Sequence, residues 1–595
     1  MLSNSTQHLQ PLDRFWDLVK TDARDISILV SYTLVTGLLS LAVPLAAQAV
    51  VNTIAAGIFL QPLIVMTALL FAGLLFVAIL RMFKLRLVET LQQRIFARVV
   101  MQLGARIPKI QTQALSKEYM PELVNRFFDV MTVQKAWGKL LLDVPASLLQ
   151  VAIGLILMAF YSPWLLAFDF AIIAFIIACS MVLGVGGIKT SIHESHEKYR
   201  VAEWLEDLGR CHISFKTQGF PKFILERSDQ LIVNYLDARR SHFAVLFRQS
   251  FSTYLFQALA SAGILAIGGW LVINRQLTLG QLVAAELVVL NVLSALEKLI
   301  RNCDTYYDLL TGLDKVGHLT DLPLERKGGT ELSDTVHGAS VVMLDVSFGY
   351  HSDAQVLDNV NLTVQAGERA SLVGASGAGK TTLAHILCGL LEPDSGAIEI
   401  AGLDARDASL SAMRQHIGFV GDSNEIFEGT IEENVRMGRD YVSHKDVRWA
   451  LAVSQLTEEI ARLPEGLHTP LIASGKNLSR GQVQRLLIAR AIAHRPALLI
   501  LDEAFTGIDE RTKIAIVDQL LDTENPWTLI DISHDAEVVK RSDQVYVLAG
   551  GHIAEFGSPA TLSWRTDSEF STLFPELAND VRRTERRKEP RNAGT

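Results

Sequence analysis

The sequence predicts two unlike halves: a helical half that crosses a membrane several times, followed by an α/β half in which strands and helices alternate. Three observations carry this. The chain of 595 residues is 49% hydrophobic with a mean hydropathy of +0.26, too long for one core and too apolar for an ordinary soluble protein. Residues 26–80 contain no Asp, Glu, Lys or Arg, a run more than twice the roughly 20 residues that one membrane helix needs. Beyond residue 340 the pattern changes to short β-type runs separated by helical ones.

Residues 1–25 form a cytoplasmic N-terminal segment that mixes acids with bases and has no small-residue cleavage site. No removable signal peptide is expected. Two spans fit into 26–80, with a turn near AAGIFLQP. The block 144–188, interrupted by the Ser162-Pro163 turn signal and Asp169, supplies spans three and four; 249–274 and 277–296 supply five and six. Basic residues crowd the connections 81–143 and 189–248 and are absent from the turns near 55–62 and 162–163. The positive-inside tendency therefore places both long connections and both termini in the cytoplasm. Each connection, folded as two antiparallel helices, reaches roughly 45 Å below the membrane.

The formal charge is −9 and no long basic block interrupts the ordered sequence, so no nucleic-acid partner is expected. The four cysteines, Cys179, Cys211, Cys303 and Cys388, lack ligand or disulfide spacing and read as structural thiols.

In the second half, the strand ERASLV runs into GASGAGKTT. Gly374, Gly379, Lys380 and Thr381 match G-x-x-x-x-G-K-[ST] in a strand-loop-helix context, where backbone N–H groups wrap a β-phosphate, Lys380 reaches the β- and γ-phosphates and the Thr381 hydroxyl ligates Mg²⁺. A second apolar strand, ALLILDE, ends in two acids. Asp502 is placed to hold Mg²⁺ and Glu503 to polarise an attacking water. A third strand, WTLIDIS, delivers His534 toward the γ-phosphate. ATP and Mg²⁺ are thus the expected nucleotide and metal. The opening NLSRGQVQR (477–485), directly before the apolar helical run LLIARAIA, is a further anion-receptive helix start.

With these motifs in order, the sequence resembles the ATP-binding cassette (ABC) transporter family, in its exporter half-transporter form, over nearly the whole chain. The resemblance implies a six-helix exporter transmembrane domain over 26–320, a linker over 321–339, a P-loop ATP-binding domain over 340–575 and a charged, disordered tail over 576–595. It makes Tyr350 the ring that stacks on adenine, and assigns Ser376, Gly377 and Thr382, with the loop residues already named, to the nucleotide. NLSRGQVQR looks like the family's signature segment. Ser479, Gly481 and Gln482 would then face the ATP held by a partner's Lys380 loop, and Asp509 would close the loop that follows the catalytic glutamate. Glu503 and His534 are the implied catalytic pair, Thr381 and Asp502 the implied metal ligands. Two coupling helices are implied near 121–130 and 206–216. The working unit implied is a dimer with twelve spans, a homodimer in preference to a heterodimer.

Two positions depart from the family pattern. Aligned through EGTIEEN, the glutamine that normally touches Mg²⁺ and the attacking water falls on Asp422, a shorter anion that would ligate metal more strongly or repel the γ-phosphate; a one-residue slip would put another group there. Arg480 stands where glycine is usual, either a cation near the partner's phosphates or a side chain turned to solvent.

The membrane half looks most similar to exporters of the peptide and protein secretion type. About 25 residues precede span one, leaving no room for the peptidase domain often fused there, so lipid, glycan and drug export stay open. Periplasmic adaptor proteins are expected partners if the chain serves a secretion system, beside membrane lipid and the transported substrate. Glu286 within span six marks the translocation path, an interhelical contact or an interfacial carboxylate near the outer end; Asp169 reads as interfacial. Among function classes, an ATP-driven exporter in the cell membrane, working by alternating access, accounts for every feature. A nucleotide-gated channel or regulator would usually lack a working glutamate, which Glu503 provides, and a soluble cassette ATPase has no use for the uncharged 26–80 run; one half of a heterodimer with a degenerate ATP site, acting as a regulator, stays open as the alternative.

Overall fold

The structure, a computed structural model, describes residues 11–55, 57, 60–117, 120–219, 222–332, 338–351, 354–421 and 425–579. The chain divides into two compact units that meet in sequence between Pro323 and Leu324.

The first unit is built of helices: α1 (Pro11–Thr21), α2 (Ala23–Ser40), α3 (Ala42–Ala55), α4 (Leu60–Arg106), α5 (Met120–Asn125), α6 (Asp129–Tyr161), α7 (Pro163–Leu183), α8 (Gly187–Arg210), α9 (His212–Thr217), α10 (Lys222–Ile273) and α11 (Leu279–Asp321). Among the described residues, six helical segments are long and apolar enough to cross a membrane: Ala23–Ala55, Gln61–Lys109, Leu123–Tyr161, Pro163–Leu183, Lys222–Ile273 and Leu279–Asp321. The expected fold class is the observed one. Several spans run without a break into charged sequence, so α10 continues for 52 residues, a rod of roughly 78 Å against a hydrocarbon layer of about 30 Å. Large apolar side chains such as Phe160 (81% exposed) and Ile273 (82%) point outward, a surface that water would penalise and lipid accepts.

Span one breaks between α2 and α3. Pro44 has no N–H to return to the Ser40 carbonyl four residues earlier, and Ser40 turns its hydroxyl onto the Gly37 carbonyl (2.6 Å). Pro145 interrupts the amide ladder of α6 in the same way. One core cluster joins Leu29, Leu91, Val133, Trp137 and Leu309; a second joins Met158, Leu165, Ile264, Leu271 and Val292. The short α1 is anchored to the far end of the unit, where the Arg14 guanidinium pairs with the Asp321 carboxylate and donates to the Thr320 hydroxyl. Asp169, seven residues into α7, is buried inside the unit with Oδ2 unpartnered: α7 packs it inward against neighbouring helices, a direction that sequence position alone does not reveal.

The second unit carries β1 (Val341–His351), β2 (Ala354–Val364), β3 (Arg369–Val373), β4 (Ser395–Ile400), β5 (Leu403–Asp404), β6 (Ile417–Val420), β7 (Gly429–Thr430), β8 (Pro470–Leu471), β9 (Leu498–Asp502), β10 (Thr528–Ile532), β11 (Gln544–Ala549) and β12 (His552–Gly557). β2, β1, β4 and β5 form an antiparallel sheet; β12, β11, β3, β10, β9 and β6, in that order, form a second sheet whose pairings are parallel except at β12. β9 and β10 are buried along their whole length, as parallel strands covered on both faces must be. The sheet order sets the site: β3, β10 and β9 are neighbours, so the segments leaving their carboxyl ends converge, the usual place for a ligand in such a sheet.

Candidate functional site: a nucleotide pocket at the carboxyl ends of β3, β9 and β10

β3 delivers the loop 374–379 to a helix over Lys380–Leu387 whose N-cap, Gly379, sits at φ 101° and offers no side-chain cap. A left-handed N-cap without a side chain leaves the first amides of the helix open, and only glycine adopts that angle without strain. Lys380 is buried, and its Nζ donates to the carbonyls of Gly374 (2.9 Å) and Ala375 (3.0 Å). Burial lowers its pKa, while the charges of Glu503 and Asp502 act the other way. Ser376 and Gly377 form the exposed lip of the loop. The Tyr350 hydroxyl lies 3.2 Å from that of Thr382, and its ring stands edge-on to Phe348, centroids 5.1 Å apart. This sets the exposed tyrosine beside the phosphate loop.

β9 ends on Asp502, which is buried with Oδ2 unpartnered. Burial pushes its carboxyl up, against a hydrogen bond from Thr381 that pulls it down. Glu503 then takes φ 49°, a left-handed angle that costs a non-glycine residue on the order of 1 kcal/mol. Its amide donates to the Ile532 carbonyl of β10 (2.9 Å), which turns its carboxylate out of the sheet. His534, just past β10, places Nε2 3.9 Å from Glu503 Oε1, both side chains about half exposed. The two face a cavity of about 250 Å³ also lined by Thr506, Lys513 and Asp535.

An unpartnered buried carboxylate oxygen with a hydroxyl beside it is a donor set suited to a hard divalent cation. The uncapped helix start with its lysine suits phosphate. The residues present therefore fit a Mg²⁺-nucleotide. Asp422, expected to join them, lies outside the described residues; β6 ends two positions before it, at Val420.

The signature residues form a separate group. Ser479 N-caps the helix Arg480–Ile492 in a full capping box: its hydroxyl oxygen accepts from Gln482 N (3.3 Å) and its own amide donates to Gln482 Oε1 (2.8 Å). Gln482 Nε2 donates onward to Glu459 (2.7 Å), which also receives the buried Arg485 (2.7 Å). Gly481 is required by proximity, since a Cβ there would stand 2.9 Å from the Gly507 carbonyl. The exposed Arg480 has its stem along Gly507: a Cβ built on Gly507 would lie 3.1 Å from Arg480 Cδ. Asp509 caps the helix Glu510–Leu520 by accepting from Thr512 N (3.0 Å). Among the described residues, no hydrogen bond or ion pair joins this group to Lys380, Asp502, Glu503 or His534.

Sequence reasoning missed several members of both groups. Lys513 pairs with Asp535, the residue after His534, and with Glu510 (2.6 Å), which steadies the histidine loop. The adjacency of Asp535 to His534 was the available signal. Glu459 had none, being far from the signature in sequence. Asp531, on β10, is fully buried with both carboxylate oxygens unpartnered, and burial pushes its pKa well up.

This combination of membrane helices and a P-loop sheet defines a membrane-embedded nucleotide-binding protein. Residues 26–295 match the family description "ABC transporter transmembrane region" and 357–506 match "ABC transporter". The chain belongs to the ATP-binding cassette transporters, binds ATP through that domain and is a multi-pass membrane protein. It is 32% identical over 375 residues to "Uncharacterized ABC transporter ATP-binding protein YfiC" of Bacillus subtilis (63% of this chain, 58% of the relative). It is 31% identical over 344 residues to "Transport/processing ATP-binding protein ComA" of Streptococcus pneumoniae (57% and 47%). It is 30% identical over 375 residues to the "ATP-dependent lipid A-core flippase" of Neisseria gonorrhoeae (63% and 58%). The matches thus span about half the length of these curated relatives. Among solved structures, "a bacterial Atm1-family ABC exporter with ATP bound" superposes with a TM-score of 0.85 at 24% identity, covering 94% of this chain and all of that one. This is a likeness of fold.

Proposed function

We propose that the chain is one half of a dimeric exporter that hydrolyses ATP to move a substrate out across the cell membrane, with cassette and termini on the cytoplasmic side. One observation carries this reading: the phosphate loop, Asp502, Glu503 and His534 converge in the unit that follows six membrane-length helices in the same chain. In this reading Lys380 leaves the carbonyls of its own loop for the β- and γ-phosphates. Glu503, aimed outward by its backbone angle, accepts the proton of the attacking water, and His534 contacts the γ-phosphate. Thr381 and Asp502 would hold Mg²⁺, which would neutralise phosphate charge when bound. Tyr350 stacks on adenine. Ser479, Gly481 and Gln482 serve the nucleotide of the other protomer, because their own chain's hydrogen bonds do not connect them to Lys380. Asp509 borders the same shared pocket.

The names of the relatives support an amphipathic cargo, peptide or lipid. A homodimer is the simpler assembly, since one chain supplies both a phosphate loop and a signature opening. Adaptor proteins would join only in a secretion system. The test is ATP hydrolysis by the purified, lipid-reconstituted protein across panels of peptides, lipids and drugs. Stimulation by one class, absent in Glu503→Gln, is expected; a Glu503→Gln protein as fast as wild type would overturn the reading.

A further inference from the structure

His534 has no hold of its own. Among the described residues no hydrogen bond reaches its imidazole, which is about half exposed and stands 3.9 Å from Glu503. What fixes its direction is the turn that carries it. Ser533 Oγ accepts the Asp535 amide (2.9 Å), and Asp535 divides its carboxylate, Oδ1 accepting from Glu537 N (2.9 Å) and Oδ2 pairing with Lys513 Nζ. The first two bonds stay within the turn and travel with it; of the three, only the Lys513 pair reaches another element. Lys513 lies near the start of the helix Glu510–Leu520, where its amide donates to the Asp509 carbonyl (2.9 Å) and its ammonium also pairs with Glu510 (2.6 Å). A cation near a helix start opposes the dipole, and this one is buried, so neither helix formation nor solvation accounts for it. Burial by itself would lower the lysine's pKa; hydrogen bonds to Asp535 and Glu510 more than offset this and hold it above the ordinary value, so the ammonium stays charged. Lys513 also lines the cavity of about 250 Å³ that Glu503 and His534 face. One residue thus connects the group that includes Asp509 to the turn that bears the histidine.

We propose that Lys513 is a positioning residue for ATP hydrolysis: it fastens the His534 turn to the helix that opens at Asp509 and so sets where the imidazole meets the γ-phosphate. The inference rests on the hydrolytic role given to His534 above. A misplacement of about 1 Å at a reacting centre can cost on the order of 100-fold in rate. No described bond of Lys513 reaches Lys380 or Tyr350, so nucleotide binding should be spared. Full-length protein in lipid is assayed for kcat and for KM toward Mg²⁺-ATP. Lys513→Met, which keeps the length and drops the charge, should lower kcat about tenfold and leave KM within about twofold, and Lys513→Arg should recover most of the loss. Asp535→Asn keeps a competent cap for Glu537 and loses the ion pair, so it should slow kcat in the same way even if Lys513→Met fails to fold. Joining the two should slow kcat no further than the worse single change. His534→Ala, run beside them, separates this inference from the reading beneath it. A slow His534→Ala beside a full-speed Lys513→Met removes Lys513 alone, whereas a full-speed His534→Ala removes the histidine from the chemistry and Lys513 with it. Losses that multiply in the double variant, or a raised KM with kcat intact, would also overturn the role of Lys513.

Discussion

Two helices of the α/β unit open toward ligand in opposite ways. The helix Lys380–Leu387 starts at a bare glycine with no cap, and the groups around it are unsettled: a lysine holding its own loop's carbonyls, an unpartnered buried oxygen on Asp502, a strained backbone at Glu503. The helix Arg480–Ile492 is closed by a reciprocal capping box, backed by Glu459 and Arg485. The first opening stores unpaired amides and charge that a nucleotide would satisfy. The second has spent the Gln482 amide on its own serine, so what it can still offer outward is the Ser479 hydroxyl hydrogen, since Ser479 Oγ acts there as acceptor, and the N–H groups of Arg480 and Gly481. One end is built to be completed, the other to complete something else.

Breaking the first opening should have the largest effect. Glu503→Gln is expected to lower ATP turnover roughly 100-fold or more while fluorescent-nucleotide binding persists; retained turnover would remove Glu503 from the chemistry. The second opening can be split by chemistry. Ser479→Asp keeps a competent cap but has no hydroxyl hydrogen, so turnover should fall on the order of tenfold with little change in melting temperature, whereas Ser479→Thr should restore it. A Ser479→Asp protein with full turnover would mean that the serine is only a cap.

Stability should separate the two openings by sign. The Asp502 carboxyl is pushed up in the folded chain, so folding holds a proton that the unfolded chain has released. Its penalty is absent below the ordinary carboxylate range and grows as pH rises through the folded value. Asp502→Asn should therefore stabilise the nucleotide-free protein at pH 7 by about 1 kcal/mol, an advantage that thermal melts should show disappearing in acid. At the closed opening the same kind of change runs the other way: Glu459→Gln cuts an ion pair and should lower stability by a few tenths of a kcal/mol. If both substitutions moved stability in one direction, the contrast between an unsettled and a settled helix start would fail.

What sequence could reveal follows the same division. The phosphate loop was legible because its parts are contiguous and each has one physical task, and the six spans because lipid demands long uncharged runs. Asp502, Glu503 and His534 could be placed because each follows a short apolar strand, and the adjacency of β3, β10 and β9 then joins them. The support of the signature was not legible, because Glu459 meets Gln482 only through tertiary packing. Neither was the angle at Glu503, which no residue type announces, nor the direction of Asp169 within α7. Sequence allows two readings of Arg480; its stem rests on Gly507 while the residue stays exposed, so the loop after the glutamate and the signature helix share a contact that sequence position alone does not announce.

The Arg14–Asp321 clamp has a consequence in time. Its partners are 307 residues apart, and at roughly 5–20 residues per second a ribosome takes on the order of 15–60 s to make the second after the first. For that interval α1 has no α11 to hold it, and the apolar face bearing Phe15 and Val19 must rest on the bilayer surface as any amphipathic helix does. The clamp is thus the closing step in the birth of the helical unit: α1 is made 307 residues ahead of its partner and is among the last of its helices to be fixed.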